Sequence, residues 1–219
     1  MKRKILIIIL PLVVALAFCL VLFDLGFAQW RTQNIVTSSE DTDLSVSPSK
    51  GPDDAPVEIA VFSCFQWPAC ARLAPVLEQV LEKYPDQVKL VFFSFPLTNH
   101  RFAKKAAIAA FAAMKQGKFW EYHDRLFENI ESVNDQKLLE IAREIGLDMK
   151  QFEKDMNDLK IVARINQDIR LGNYLGVRAT PTVFINGSVS QARTLEAFQA
   201  DVNMELKKVK KEVKSDGKG

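Results

Sequence analysis

The stretch Ser63-Cys64-Phe65-Gln66-Trp67-Pro68-Ala69-Cys70 carries the side chains best suited to covalent chemistry. Its two thiols are separated by five residues. A thiolate with access to a partner sulfur performs thiol–disulfide exchange, and a helix N-terminus favours negative charge on such a sulfur. Pro68 suits the first turn of a helix, where its missing N–H costs nothing. Trp67, beside it, is neither a nucleophile nor a leaving group. Cys64 and Cys70 pair only if the chain turns back far enough to bring their Cα atoms within about 7 Å. A redox pair, a bracing disulfide and two separate buried thiols acting as small hydrophobes all fit this spacing.

The other chemistry-bearing residues are fewer. His100 follows a strand signal and reads either as a border of the thiol site or as polar surface. His123 shares an apolar helical face with Phe119 and Phe127 and reads as a packed core histidine. Two histidines and two cysteines this far apart match no metal-ligand spacing. No metal and no cofactor is expected, and no phosphate loop, Ser–His–Asp set or paired-carboxylate motif stands out.

The elements that must position the thiols follow from periodicity. Val57–Phe62 is a short apolar strand rich in β-branched residues. A helix from Pro68 carries Leu73, Val76, Leu77 and Val80 as an apolar stripe and stops near Tyr84-Pro85-Asp86. VKLVFFSF, residues 88–95, is a second strand, apolar enough to be buried on both faces. These form a βαβ unit with a right-handed crossover. Helices are then expected over 101–116, around Phe119–Phe127, between Asn134 or Asp135 and Gly146, and over 148–156 and 158–174. Strand signal returns at Thr182–Ile185, Asn186-Gly187 makes a hairpin turn, residues 188–191 pair back, and a last helix uses Leu195, Phe198, Val202 and Leu206. The plan is α/β: βαβ, a helical insertion over about 100–175, then ββα.

The N-terminus sets the compartment. Lys2-Arg3-Lys4 precedes a largely apolar run, Ile5 to Phe23, and Gly26-Phe27-Ala28 suits signal-peptidase cleavage before Gln29. The run is long for a signal peptide and just long enough to span a bilayer. Residues 1–28 are therefore a cleaved signal or an N-terminal membrane anchor, and either places the rest outside the cytoplasm. Residues 29–50 are polar without sustained period and read as a linker; 51–206 form the domain; 207–219 are a basic C-terminal tail. The whole chain has a formal net charge of +2, and without residues 1–28 it is neutral, which leaves no basic footprint for nucleic acid.

Four blocks, in order, resemble the DsbA-like proteins of the thioredoxin fold. They are Gly51-Pro52-Asp53-Asp54-Ala55-Pro56-Val57 leading into Phe62-Ser63; Phe95-Pro96-Leu97 with His100; Gly117-Lys118-Phe119-Trp120-Glu121 with His123-Asp124 and Leu126-Phe127; and 176–187, GVRATPTVFING. The resemblance implies a thioredoxin-like fold with a helical insertion and an extracytoplasmic thiol:disulfide oxidoreductase acting on cysteine-containing or unfolded polypeptides, with a membrane redox partner left open. It also implies that Pro181, preceded by Thr180, is the cis-proline of a loop facing the helix N-terminus, where an extended substrate can pair. The family motif is Cys-Pro-x-Cys, often after Ser-Asp-Phe. Aligning Pro68 and Cys70 with it puts Trp67 on the attacking cysteine and Cys64 on the Asp.

Three functions fit these residues. Cys64 and Cys70 are an atypical catalytic pair; or the chain is a redox-silent, chaperone-like relative that holds polypeptide against Trp67, Pro68, Thr180 and Pro181; or the two cysteines only brace a structural domain. Retention of both thiols favours the first, and loss of the attacking position favours the second.

Overall fold

Gly51 occupies a position that no side chain tolerates. A β-carbon there would lie 2.3 Å from the Val88 carbonyl oxygen, and its φ of +94° is left-handed. This close approach lays the preceding residues along the sheet. The computed structural model describes Leu44 and residues 46–216; the apolar run Ile5–Phe23, Cys19 and most of the polar linker lie outside them.

The strands are β1 (Ser49–Lys50), β2 (Val57–Ser63), β3 (Val88–Ser94), β4 (Thr182–Ile185) and β5 (Ser188–Ser190). They form one sheet in the order β1-β3-β2-β4-β5. β2 and β3 run parallel in register, Val57 against Val88 through Ser63 against Ser94. β4 is antiparallel to β2, and β5 to β4. The helices are α1 (Pro68–Lys83), α2 (Ala103–Met114), α3 (Phe119–Glu128), α4 (Asp135–Glu144), α5 (Met149–Asp155), α6 (Leu159–Tyr174) and α7 (Leu195–Asp216). The fold is thioredoxin-like with α2–α6 between β3 and β4.

Local chemistry explains the boundaries. Asn134, Asp148 and Asp158 cap α4, α5 and α6 by accepting from backbone N–H groups at Lys137, Gln151 and Lys160. Asn186 and Gly187 both adopt positive φ, 45° and 78°, as a two-residue hairpin requires. All seven residues of β3 are buried, including Lys89, whose ammonium is held by Asp53 at 2.7 Å. The α1 stripe Cys70, Leu73, Leu77 and Val80 is buried, so the second thiol belongs to the face that joins the core.

Two boundaries differ from the sequence reading. Ser49–Lys50, placed in the linker, pair antiparallel with Val91 and Leu90 as an edge strand. Two residues are too short to show alternation; partners elsewhere hold them. The Trp120 indole donates to the Ser49 carbonyl at 3.1 Å, Phe92 N–H to the Pro48 carbonyl at 2.8 Å, and Arg164 to the Ser47 hydroxyl at 2.6 Å. At the other end, α7 continues to Asp216 through most of the basic tail. Among the described residues no helix is long and apolar enough to cross a membrane.

Candidate active site

β2 ends at Ser63 and α1 begins at Pro68, and the turn between them is tight. The Trp67 N–H donates to the Cys64 carbonyl at 3.1 Å, and the Cys70 N–H donates back to the Trp67 carbonyl at 2.9 Å. Trp67 is thus the extended residue before the helix, with Pro68 in the first turn. The turn folds Cys64 back towards Cys70: the Cys64 N–H donates to the Cys70 sulfur at 3.5 Å. Both cysteines are buried free thiols.

Each sulfur has its own environment. Burial pushes the Cys64 thiol above its ordinary pKa, while backbone hydrogen bonds from Leu97 and Gln66 pull the other way. Its sulfur also lies 3.4 Å from His100 Nδ1. Burial likewise raises Cys70, against hydrogen bonding from the Ser63 hydroxyl and the Cys64 N–H, a weaker pull from the Thr180 hydroxyl, and the charge of Arg193. The Thr180 hydroxyl is buried and makes no hydrogen bond among the described residues, so its effect on the Cys70 sulfur is weak. Both thiols are protonated at neutral pH, so exchange needs a proton acceptor.

His100 reaches the site because three contacts fix the 95–102 loop. Phe95 N–H donates to the Ser63 carbonyl at 2.8 Å, Phe102 N–H to the Gln66 side-chain oxygen at 2.5 Å, and Ser94 N–H to Asp168 at 2.9 Å. Asp168 and its ion-pair partner Arg164 are buried on α6. Burial pushes Asp168 up to about 6, against the pull of Arg164 and the Ser94 N–H. One turn further along α6, Gly172 lets the helix press on the loop; a β-carbon there would lie 2.7 Å from the Phe95 ring and 3.1 Å from Phe62. The His100 ring stacks on Trp67, with centroids 5.5 Å apart. Trp67 remains 38% exposed.

The second wall is the loop before β4. The Thr180–Pro181 peptide bond is cis. Arg193 donates to the Pro181 carbonyl at 3.2 Å and to the Ala192 carbonyl at 2.6 Å. Thr180 touches the site from this side, while Pro68 and Pro181 contribute backbone shape. Of the expected residues, Cys64, Cys70, Trp67, Pro68 and Thr180 cluster around the β2–α1 turn, with Pro181 next in chain. Arg193 was not expected, because nothing in a coil arginine signals it; Ser63 stood in the resembling block without a role of its own. His123 is buried among Phe65, Phe92, Phe119, Trp120 and Phe127, as its helical face predicts. Among the described residues no cluster of His, Cys, Asp or Glu could hold a metal.

A family model described as thioredoxin matches residues 45–204. Over 176 residues the chain is 31% identical to a probable disulfide bond formation protein D of Bacillus cereus, covering 75% of this chain and 81% of that one. The chain belongs to the DsbA-like thioredoxin family. A crystal structure of a thioredoxin-like oxidoreductase from Silicibacter pomeroyi superposes with a TM-score of 0.66 at 26% identity, over 78% of this chain and 99% of that one. A 139-residue stretch is also 36% identical to Na(+)/H(+) antiporter NhaA 3 of Salinispora tropica; it spans 63% of this chain but only 21% of the antiporter.

Proposed function

We propose that the protein is an extracytoplasmic thiol:disulfide oxidoreductase whose working pair is Cys64 and Cys70, acting on cysteine-containing polypeptides. The observation that carries this reading is the 3.5 Å hydrogen bond from the Cys64 N–H to the Cys70 sulfur, which folds the six-residue separation into one site. Cys64 is the attacking sulfur. It gives its proton to His100 Nδ1, 3.4 Å away, and its thiolate attacks a substrate disulfide. One substrate sulfur leaves as thiolate and takes up a proton. The Cys70 thiolate then attacks the Cys64 sulfur, and the second substrate thiol departs. The substrate is reduced to a dithiol, the protein is oxidised to a Cys64–Cys70 disulfide, and the reverse sequence oxidises a substrate dithiol.

Trp67, Pro68, Thr180 and Pro181 form the seat for an extended substrate segment, with the exposed indole as its apolar contact. The Lys2–Lys4 charge and the apolar run behind it support export, by a cleaved signal or as an anchor that would bring the site near a membrane redox partner.

Trapping tests the reading. Cys70→Ser is expected to hold a disulfide-containing model peptide as a stable mixed disulfide on Cys64, and Cys64→Ser to hold none there or on Cys70. If neither variant nor the wild type forms adducts, the site does no exchange, and polypeptide binding at Trp67 becomes the function.

A further inference from the structure

Cys70 has a proton problem that His100 does not solve, because His100 sits at the other sulfur. Inside the domain, a cavity of about 10 Å³ is lined by Ser63, Cys70, Glu78, Trp120, His123 and apolar side chains of β2, β3, α1 and α3. That volume holds roughly one water, and Ser63, Cys70, His123 and Glu78 give it polar partners. His123 is 5% exposed. Its Nδ1 lies 2.7 Å from a carboxylate oxygen of Asp124. A carboxylate only accepts, so Nδ1 carries the proton and the neutral ring presents a bare Nε2. Nε2 makes no hydrogen bond among the described residues. Asp124 is half exposed at the far side, with 49% of its side chain accessible.

We propose that His123, through one water in this cavity, is the proton acceptor for Cys70, and that Asp124 fixes the tautomer and opens the way to solvent. The inference rests on the oxidoreductase reading for its use and on the cavity for its geometry. In the closing step, the Cys70 S–H proton passes to the water as a water proton passes to His123 Nε2. The Cys70 thiolate attacks the Cys64 sulfur of the mixed disulfide, the Cys64–substrate bond breaks, and the substrate thiolate takes a proton from solvent. The imidazolium returns to neutral by passing its Nδ1 proton to Asp124 and on to solvent. The proton held on Nε2 goes back through the water to Cys70 when the Cys64–Cys70 disulfide is next reduced, and Nδ1 is then reprotonated from the Asp124 side. The charged groups around the relay are Asp124 on the same helix, Lys50 of β1, Glu78 of α1, and, on the Cys70 side, Arg193. Burial holds His123 below its ordinary pKa, with Lys50 adding to this and Asp124 and Glu78 opposing it, so the acceptor form prevails at neutral pH.

The full chain has two histidines, so ring-nitrogen NMR reports His123 directly, with His100→Gln assigning the other signal. The Nε2 signal is expected to show, besides its own titration, a second inflection in the alkaline range where Cys70 ionises, and Cys70→Ala is expected to abolish it. An Nε2 signal flat through that range, or unchanged in Cys70→Ala, overturns the relay whether or not the protein exchanges disulfides. In kinetics, His123→Gln is expected to slow closure of a Cys64–glutathione mixed disulfide by about 10- to 100-fold at pH 7, less than direct general-base catalysis because a water intervenes. The deficit closes as pH rises and hydroxide deprotonates Cys70, which a packing defect would not do. Equal rates at pH 7, or a deficit independent of pH, also overturn it. Loss of all exchange in wild type with the NMR coupling intact would strike the oxidoreductase reading alone.

Discussion

The backbone N–H of Cys64 donates to the sulfur of Cys70 across 3.5 Å. Trp67 heads the helix that carries Cys70, and the thiol that approaches from the strand is Cys64. The strand end supplies the N–H donor and one sulfur, and the first turn of α1 supplies the accepting sulfur.

Trp67 and His100 stack beside the Cys64 sulfur, so their separation governs access to it. An aromatic pair contributes about 0.5–1.5 kcal/mol. Trp67→Ala is expected to speed alkylation of Cys64 by a small iodoacetyl reagent, up to about tenfold, since 1.4 kcal/mol is a factor of ten. Peptide mapping of the alkylated sites checks this, and an unchanged rate would mean the stack is not the barrier.

Gly172 holds α6 against the loop that carries His100. Gly172→Ala drives a methyl group into the Phe95 ring and is expected to cost about 1–3 kcal/mol as overpacking. In a domain of this size that lowers Tm by roughly 2–4 °C per kcal/mol. Thermal unfolding followed by circular dichroism measures it; an unshifted Tm would show that the Phe95 ring gives way freely.

Asp168 links stability to pH. Its native pKa is pushed up to about 6, above the carboxylate value of an unfolded chain, so the native state binds the extra proton between. Its contribution is full below about pH 4, lost as pH rises through about 6, and constant above. Urea unfolding from pH 4 to 8 is expected to show this fall, and Asp168→Ala to remove it. At pH 7 the same variant leaves Arg164 buried without its partner, at a cost of about 3–5 kcal/mol.

The strands, the helices and the hairpin were legible because each carries its own local signal: the apolar, β-branched run of Val57–Phe62, the stripe from Leu73 to Val80, the Asn186-Gly187 pair. β1 was not, because its two residues are held by Trp120, Gly51 and the β3 backbone, partners remote in sequence. The site was half legible. Cys64, Cys70, Trp67 and Thr180-Pro181 stand in local motifs, and His100 only follows a strand. Its place at Cys64 depends on Gln66, Ser63 and Asp168 fixing the loop, contacts that span 32 to 74 positions. Arg193, whose charge favours the Cys70 thiolate, sits in coil with no pattern to mark it.

The central claim is that Cys64 and Cys70 are one redox pair. The full chain would be equilibrated with a glutathione redox buffer, blocked with maleimide in denaturant, digested and weighed peptide by peptide. The expected result is a Cys64–Cys70 disulfide that forms and reopens as the buffer is varied, with Cys19 accounted for separately. Both cysteines carrying maleimide across the whole range would contradict the account.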